Sequence, residues 1–520
     1  MIDRTRGRSA PVHATGAGIL VIATGLAAVL ALAILFADPL FGIAGMVGLV
    51  LVWVVFEVPF VGIILYMVVQ YLRPGDMFPV LAPLRPAVAV IGLLYASYLM
   101  RFLIRHEYRA VKHRILTVFL YFLVVIAISV PLASFWRGGA RDTFFNLARL
   151  GLAIFLILEL VDDWRKVRGF LWTYVGIIAL LAAWNDALYY GIGPGGLLQK
   201  LCVTAASGLT AVCDGGQKMV IDTGGSGGML GGFMGDGNDF ALTVVVLIPV
   251  AMALFRVETT TWLRRLALFC AIMLMVSIVA TTSRGGLIGM GAGLLVLMLL
   301  HRGSIRTVAT LVAVGGGAAF MIYLALPTVW DKKFAPFFSE DKNPALSRIS
   351  KLDEYQQDES ARGRLDAWGA SLRMFADHPI IGVGAGVFSF AYGSKYKPYD
   401  AVDATWREAH SIYFQVLGEL GSLGVIGMAL IFGTILSTFW GLRRQWRGPT
   451  AGQAWVRGVA CGLFAGVVSF AVCGAFLSAF YYPHVYMLGT FAVLMALLTD
   501  AGKPVLGYDP RPAAEPAEAA

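Results

Sequence analysis

Charged residues are scarce in this chain, and their scarcity decides its class. Only 14% of the 520 residues are Asp, Glu, Lys or Arg, whereas 58% are hydrophobic. Because a soluble globular domain carries roughly 25% charged residues, a soluble fold is excluded. Apolar runs of about 17 to 25 residues recur along the chain, and each is long enough to cross a bilayer. Backbone in lipid must satisfy its own hydrogen bonds, so these runs are helices.

Common catalytic motifs are also missing. The sequence has no Walker A loop, no HExxH pair, no CxxC pair and no GxSxG elbow, which excludes the sites that depend on them. No DxD-like pair stands on an early outer loop, where metal-dependent lipid-sugar transferases carry one. Asp236 and Asp239 would suit a metal, but we prefer the interpretation that Asn238 or Asp239 caps the next helix. The sequence therefore predicts neither a metal site nor a cofactor.

Cysteine is rare as well. Five cysteines are too few for a disulfide scaffold, and three of them lie in predicted spans as packing residues. Cys202 and Cys213 fall in one predicted outer loop. They would form a disulfide in an oxidising compartment, or else remain two unpaired thiols.

We predict an all-α polytopic membrane protein of about 14 transmembrane helices, with about 12 to 14 as the range. The predicted spans lie near 17–36, 41–56, 58–72, 86–104, 115–133, 143–160, 168–188, 239–256, 263–282, 285–301, 306–326, 411–440, 455–479 and 484–499. The second and third are short and are expected to form a tight hairpin around Glu57 and Pro59. The first has a basic start but no small-x-small cleavage site, so we interpret it as a retained span.

Two long polar or glycine-rich segments divide the chain. We predict N-terminal membrane helices over 1–326, a large and partly helical loop over 327–410, C-terminal membrane helices over 411–500 and a disordered tail over 501–520. A glycine-rich loop at 189–238 lies within the first region. It is either a flexible insertion or a mobile cover over a site.

The basic residues are distributed as topology signals, so the net charge of +9 does not indicate nucleic-acid binding. With the N-terminus inside, the Lys- and Arg-rich segments all fall on one side, whereas the short outer loops are poor in both. These inside segments are 101–114, 162–168, 262–265, 301–306 and 441–447. Both termini are then cytoplasmic. The 327–410 loop faces the periplasm of a Gram-negative cell from the inner membrane.

The 327–410 loop carries candidate functional residues. Ser360 is expected to cap a helix on which Arg364, Trp368 and Leu372 share one face, and His378-Pro379 would end that helix. GVGAGVF, residues 382–388, is then expected to form a turn.

Three histidines are predicted to face outward. His378 is interpreted as a turn residue and His484 as an interfacial residue at a span entrance. His410 lies where the long loop re-enters the membrane, beside Arg407 and Glu408. It is either a structural residue at the interface or a functional group.

Outward arginines complete the set. Arg284 stands in TTSRGGLIGM at a membrane boundary, where a charge is costly unless it snorkels or has a partner. Arg364 lies on the loop helix, with Arg362 and Arg373 near it. Arg284 could simply anchor the chain at the interface, and the loop-helix arginines could form a solvated face. The alternative is that these arginines together bind a phosphate-bearing substrate. Arginine would suit phosphate because its planar fork binds two oxygens and stays charged.

Four segments together resemble the O-antigen ligase and polymerase superfamily, and they are most similar to its exosortase-associated O-glycosylation ligase branch. They are GDGNDFALTVVVLIP, TTSRGGLIGM, ESARGRLDAWGASLRMFADHPIIGVG and EAHSIYFQVLGELGSLGVIG, at 235–249, 281–290, 359–384 and 408–427. The resemblance covers roughly residues 40 to 440. The AHSIYFQVLGE block and its spacing from GRLDAW are the most specific part.

The resemblance implies a metal-independent, GT-C-like glycosyltransferase of membrane helices. Such an enzyme moves a glycan from undecaprenyl diphosphate to an acceptor hydroxyl on a glycan, lipid or protein. It implies that Arg284 and Arg364 hold the diphosphate and that His410 is the catalytic base. Arg362 competes with Arg364 for the loop role, and Arg407 is a further supporting candidate.

The position of Glu419 makes it a supporting or a structural carboxylate, because it lies about two and a half turns beyond His410 on the same predicted span. The 189–238 loop is longer than in simpler family members, which leaves the acceptor open.

Three alternatives remain at this point. The first is a polymerase of the same superfamily, which transfers the growing glycan to another lipid-linked unit. The second is a transporter of the lipid-linked glycan, although we find no inverted repeat and no charged series through the spans. The third is a structural scaffold, which leaves the placement of the arginines and the histidine unexplained.

Overall fold

The computed structural model describes residues 39–72, 85–105, 112–190, 211–214, 218–221, 237–281, 283–300, 359–398 and 406–505. Its helices are α1 (Pro39–Glu57), α2 (Pro59–Leu72), α3 (Pro86–Arg105), α4 (Arg114–Leu132), α5 (Arg137–Leu160), α6 (Trp164–Tyr190), α7 (Gly237–Val257), α8 (Thr261–Ala280), α9 (Arg284–Leu300), α10 (Glu359–Asp377), α11 (Phe388–Ala391), α12 (Ile412–Gln445), α13 (Ala451–Cys473) and α14 (Pro483–Asp500). A π-helical turn (Tyr392–Tyr396) follows α11, and a 3₁₀ turn (Gly474–Phe476) follows α13.

The protein is an all-α polytopic membrane protein, as the apolar runs predicted. Among the described residues, nine helices are long and apolar enough to span a bilayer, and α2 and α9 are shorter apolar helices. The predicted spans at 17–36 and 306–326 lie outside the described residues. α5 begins at Arg137 rather than near 143, because its polar first turns continue the helix beyond the apolar run.

One short hairpin departs from the all-helical pattern. Strands β1 (Ala211–Asp214) and β2 (Lys218–Ile221) pair antiparallel, with Cys213 opposite Met219. They lie in the glycine-rich loop, for which glycine content predicted little regular structure. Cys202 lies outside the described residues, so the predicted pairing with Cys213 stays a prediction.

The chain divides into two compact units, one of residues 1–66 with 88–107 and one of 67–87 with 108–520. In the first unit, only Val58 separates α1 from α2. A Cβ placed on Gly62 would lie 2.9 Å from Val55 Cγ1, whereas seven residues of straight helix rise about 10.5 Å. The chain therefore bends sharply here, as the predicted hairpin around Glu57 and Pro59 requires.

The second unit is organised around α7. This helix is apolar on all sides and almost fully buried, and it packs against α8, α9 and α13. Small residues on α13 permit the close approach: a Cβ on Gly462 would lie 2.6 Å from Ala253 Cβ, and one on Gly466 would lie 2.6 Å from the Val246 carbonyl oxygen. Packing between helices, rather than burial from water, holds this core.

Candidate active site

Helix α10 lies against the start of α12 and carries Arg364 there. The Trp368 ring stacks on Phe414 with centroids 4.9 Å apart, and its Nε1 donates a hydrogen bond to the Ala409 carbonyl at 3.1 Å. Ser371 Oγ donates to the Phe414 carbonyl at 2.6 Å. Arg364 is half-buried and lies four residues, about 6 Å along the helix, before Trp368. The structure therefore brings the Arg364 segment beside the residue that precedes His410.

His410 occupies an unusual backbone conformation at the entrance to α12. Its φ is +48°, in the left-handed region that residues with a side chain rarely adopt. Its N–H donates to Ser478 Oγ at 2.8 Å, and its side chain is half-buried. Local strain of this kind persists only where surrounding contacts hold it, and it is concentrated at functional sites.

A short connector, residues 474–482 between α13 and α14, joins the start of α9 to the start of α12. A Cβ on Gly285 would lie 3.1 Å from Phe476 Cβ, so the turn that begins with Arg284 packs directly on the connector. Ser478, which binds His410, is two residues beyond Phe476. Two residues of chain span at most about 7 Å, so the backbones at Arg284 and His410 flank the same few residues.

Arg407 packs on α10 next to Gly363, which lies between Arg362 and Arg364 in the helix sequence. A Cβ on Gly363 would overlap its Nη1, only 1.4 Å away, so the glycine is what lets this guanidinium approach the helix. Arg362 is exposed, in contrast to the half-buried Arg364. The start of α10 therefore gathers positive charge close to the His410 segment.

Glu419 is 2% exposed and ties three segments together. Its Oε1 accepts the Phe388 N–H at 3.0 Å, and the Gly386 N–H also donates to the carboxylate. Its Oε2 accepts the Tyr481 hydroxyl proton at 2.7 Å. Burial together with this carboxylate raises the pKa of Tyr481 well above its ordinary value. Glu419 thus joins the glycine loop of residues 382–388 to α12 and to the connector.

The glycine loop packs on a break in α12. Gly421 has φ +59° and ψ −152°, which interrupts the helix and exposes backbone groups for bonding. The Val383 N–H donates to the Gly418 carbonyl at 3.0 Å, and the Gly384 N–H donates to the Glu419 carbonyl at 2.9 Å. Gly382 has φ +72°, and a Cβ there would lie 2.3 Å from the Glu419 carbonyl carbon. The predicted turn is therefore confirmed.

The end of α10 is held by a surface cluster. Asp377 is the last residue of the helix, as His378-Pro379 predicted. Its carboxylate accepts from Lys395 Nζ at 2.6 Å and from the Tyr396 hydroxyl at 2.8 Å. The hydrogen bond from Lys395, followed by that from Tyr396, lowers the pKa of Asp377 below its ordinary value. The same contact with Asp377 raises the pKa of Lys395.

Three sequence interpretations were wrong. His484 is not interfacial but 2% exposed, since it lies inside the bundle with Thr243 Oγ1 3.1 Å from its Nε2 and Tyr174 Oη 3.4 Å from its Nδ1. Neither Asn238 nor Asp239 is the helix cap, because α7 begins at Gly237. Asp239 instead accepts the Tyr482 hydroxyl proton at 2.8 Å. Ser360 does not cap α10 either, because that helix begins at Glu359.

Sequence reasoning missed the connector. Ser478, Tyr481 and Tyr482 each bind a residue of the candidate site or its support, but they lie in an aromatic stretch without a recognisable motif. The sequence feature that could have indicated it is the group of serine, tyrosine and histidine side chains in SAFYYPHVY, residues 478–486. Among the side chains that the structure describes, no three His, Cys, Asp or Glu residues are grouped as metal ligands.

Residues 267–429 match the family model described as O-Antigen ligase. The matched segment runs from α8 into α12, so it includes Arg284, Arg364, His410 and Glu419 but not the connector. The match supports the O-antigen ligase superfamily, at the level of a ligase or polymerase acting in O-antigen polysaccharide biosynthesis. It does not single out the exosortase-associated branch. No curated protein matches the chain.

Proposed function

We propose that this protein is an inverting glycosyltransferase of the ligase type. It moves a glycan from undecaprenyl diphosphate to an acceptor hydroxyl at the periplasmic face of the inner membrane. The family match supports an enzyme of the ligase or polymerase kind. The observation that carries the finer proposal is the hydrogen bond from the His410 N–H to Ser478 Oγ, because it holds a strained histidine beside the same connector on which the Arg284 turn packs.

The reaction is a single displacement. The acceptor oxygen attacks the anomeric carbon of the glycan, and the bond from that carbon to the diphosphate oxygen breaks. Undecaprenyl diphosphate leaves with the electron pair, and His410 takes the acceptor's proton. An imidazole suits this step because its ordinary pKa is about 6.5, so it is largely unprotonated at neutral pH. Attack from the face opposite the leaving group inverts the anomeric centre.

The arginines stabilise the leaving group. Charge grows on the diphosphate as the glycosidic bond breaks, and fixed guanidinium groups of Arg284 and Arg364 neutralise it without reorganisation. The half-buried position of Arg364 strengthens its interaction relative to the exposed Arg362. Arg407, held on Gly363, adds positive potential at the start of α10. A diphosphate leaving group needs charge neutralisation more than protonation, so the site requires no general acid.

The test is glycan transfer in vesicles that contain the purified protein, the lipid-linked donor and an acceptor. His410→Ala is expected to lower turnover by about 10²-fold or more, the usual contribution of a general base. Arg364→Lys is expected to raise the donor KM and lower kcat, because an ammonium cannot form the planar two-oxygen contact. Arg362→Lys is the matched control on the same helix and should stay near wild type.

The outcomes separate the assignments. Wild-type turnover by folded His410→Ala would remove the base assignment. Equal losses in Arg362→Lys and Arg364→Lys would remove the preference for Arg364. Product length tests the reaction type, since a ladder of lipid-linked chains formed without any other acceptor would indicate a polymerase instead.

A further inference from the structure

A cavity lies at the end of the bundle opposite His410. Its volume is about 790 Å³, within the range of roughly 300 to 1,000 Å³ typical of ligand sites. It is lined by the start of α6, the turn between α7 and α8, and the start of α13, including Arg165, Arg168, Trp172 and Ala451. The charge pattern of the sequence predicts that this end faces the cytoplasm, so a ligand here would not compete with the proposed transfer site.

A buried carboxylate orients an arginine side chain in one wall of the cavity. Glu258 is 3% exposed, and it pairs with Arg168 through the Nε and Nη2 atoms of that side chain. Its Oε1 also accepts from Trp172 Nε1 at 3.0 Å and from Trp455 Nε1 at 3.2 Å. Glu258 thus fixes the Arg168 guanidinium in one orientation, and the third nitrogen, Nη1, lies outside this pair.

Arg165 adds a second positive charge on the same wall. It precedes Arg168 by three residues on α6, so the two side chains share a helix face. Arg165 is exposed, and no carboxylate among the described residues pairs with it. With two arginines and one glutamate, the charged lining of the cavity has a net charge of +1. Exposed Thr259 and Thr260 place hydroxyl groups at the rim.

The surroundings suit a ligand with an anionic head and an apolar body. Trp172 and Leu263 supply apolar surface inside the cavity, and Trp262, next to Leu263, is 62% exposed. Tryptophan is enriched where a protein meets the membrane interface. Basic pockets between helices on the cytoplasmic side are sites for anionic head groups. The Arg165 guanidinium and Arg168 Nη1 would offer charged donors to the phosphate oxygens of such a group.

We infer that this cavity binds a phosphate-bearing anionic ligand at the cytoplasmic end of the protein, with the phosphate held by Arg165 and Arg168. The ligand is either a phospholipid of the inner leaflet or a soluble phosphate compound of the cytoplasm. In both cases the phosphate would contact the same two arginines. The phospholipid requires its acyl chains for binding, whereas the soluble compound binds without them.

The experiment is calorimetric titration of the full chain in a neutral detergent. The probes are dihexanoyl phosphatidylglycerol, dihexanoyl phosphatidylcholine and inorganic phosphate. Wild-type protein is expected to bind the anionic lipid at least tenfold more tightly than the zwitterionic one. Arg165→Gln removes one charged contact to phosphate and should weaken binding about tenfold. Ala451→Trp fills the cavity without changing charge and should weaken it at least as much.

Arg265→Gln is the matched control, because Arg265 is an exposed positive charge in the second turn of α8, at the same end of the bundle, and does not line the cavity. It should bind like wild type. Equal weakening by Arg165→Gln and Arg265→Gln would indicate general attraction to a basic surface and would overturn the proposal. An unchanged affinity of Ala451→Trp for the anionic lipid would overturn it as well. Tight binding of inorganic phosphate that blocks the lipid would support the site and identify a soluble ligand. All three substituted residues are exposed, and a thermal unfolding scan of each variant verifies folding.

Discussion

Replacing Glu419 with Ala leaves three hydrogen-bond donors without their acceptor. The donors are the Phe388 N–H at 3.0 Å and the Tyr481 hydroxyl at 2.7 Å, together with the Gly386 N–H. An unsatisfied buried donor costs about 1 to 3 kcal/mol, so loss of the buried Phe388 contact alone costs roughly that much, and the half-buried Tyr481 hydroxyl adds a smaller amount. The cost is local, because it falls on the contacts that hold the glycine loop and the connector against α12.

Activity should fall because the connector also holds His410. Ser478, three residues before Tyr481, accepts the His410 N–H, so release of Tyr481 loosens the support of the proposed base. A displacement of about 1 Å in a reacting group costs roughly 10²-fold in rate. We therefore expect Glu419→Ala to lower kcat for glycan transfer about 10²-fold, with a smaller change in the donor KM.

Glu419→Gln is the control that separates positioning from charge. Glutamine has nearly the same shape, its carbonyl oxygen can accept the Phe388 N–H, and its amide can donate to the Tyr481 oxygen. It should retain kcat within about threefold if Glu419 acts by positioning. Tyr481→Phe removes one contact and should give an intermediate loss. Vesicle transfer measures kcat and KM, and hydrogen exchange at Gly386 and Phe388 measures loop release.

Two outcomes would refute this reasoning. Wild-type kcat in Glu419→Ala, with faster exchange at Gly386 and Phe388, would show that the glycine loop does not control the site. Equal losses in Glu419→Ala and Glu419→Gln would show that the carboxylate's charge matters, and Glu419 would then be a candidate for proton transfer.

Two further predictions concern the glycine loop and the end of α10. Gly382→Ala should destabilise the protein by more than about 3 kcal/mol in a thermal unfolding assay, because a Cβ at φ +72° would lie 2.3 Å from the Glu419 carbonyl carbon. Gly433→Ala is the control, because a Cβ there meets no atom within 4 Å, and it should change the stability by less than about 1 kcal/mol. Equal shifts for the two variants would contradict the docking of the loop. Because the pKa of Asp377 is lowered in the folded state, its carboxylate stabilises the fold above the ordinary pKa of about 3.9. This stabilisation is lost as the pH falls through the lower pKa of the folded state. Hydrogen exchange at Tyr396 should therefore accelerate as the pH falls below about 4, after correction for intrinsic rates, and Asp377→Asn should remove this dependence. An unchanged pH profile would count against the role of the Lys395 pair.

The sequence by itself determined the fold class and the helix positions. Apolar runs are local, and in a membrane each run must close its own backbone hydrogen bonds, so no long-range contact is needed to place α3, α7 or α12. The loop helix was predictable for a similar reason, since His378-Pro379 ends it by local geometry. Their sequence positions and the family resemblance identified Arg284, Arg364 and His410 as candidates, and their chemical roles stay a proposal.

Only the tertiary structure decided how those candidates are supported. Ser478 and His410 are 68 residues apart in the chain, and Tyr481 meets Glu419 across 62 residues. Such pairs depend on which helix ends lie side by side, and hydrophobic periodicity carries no information about that arrangement. The same reason explains the error at His484: its sequence position suggested the membrane interface, whereas packing of α6 and α7 against α14 buries the ring.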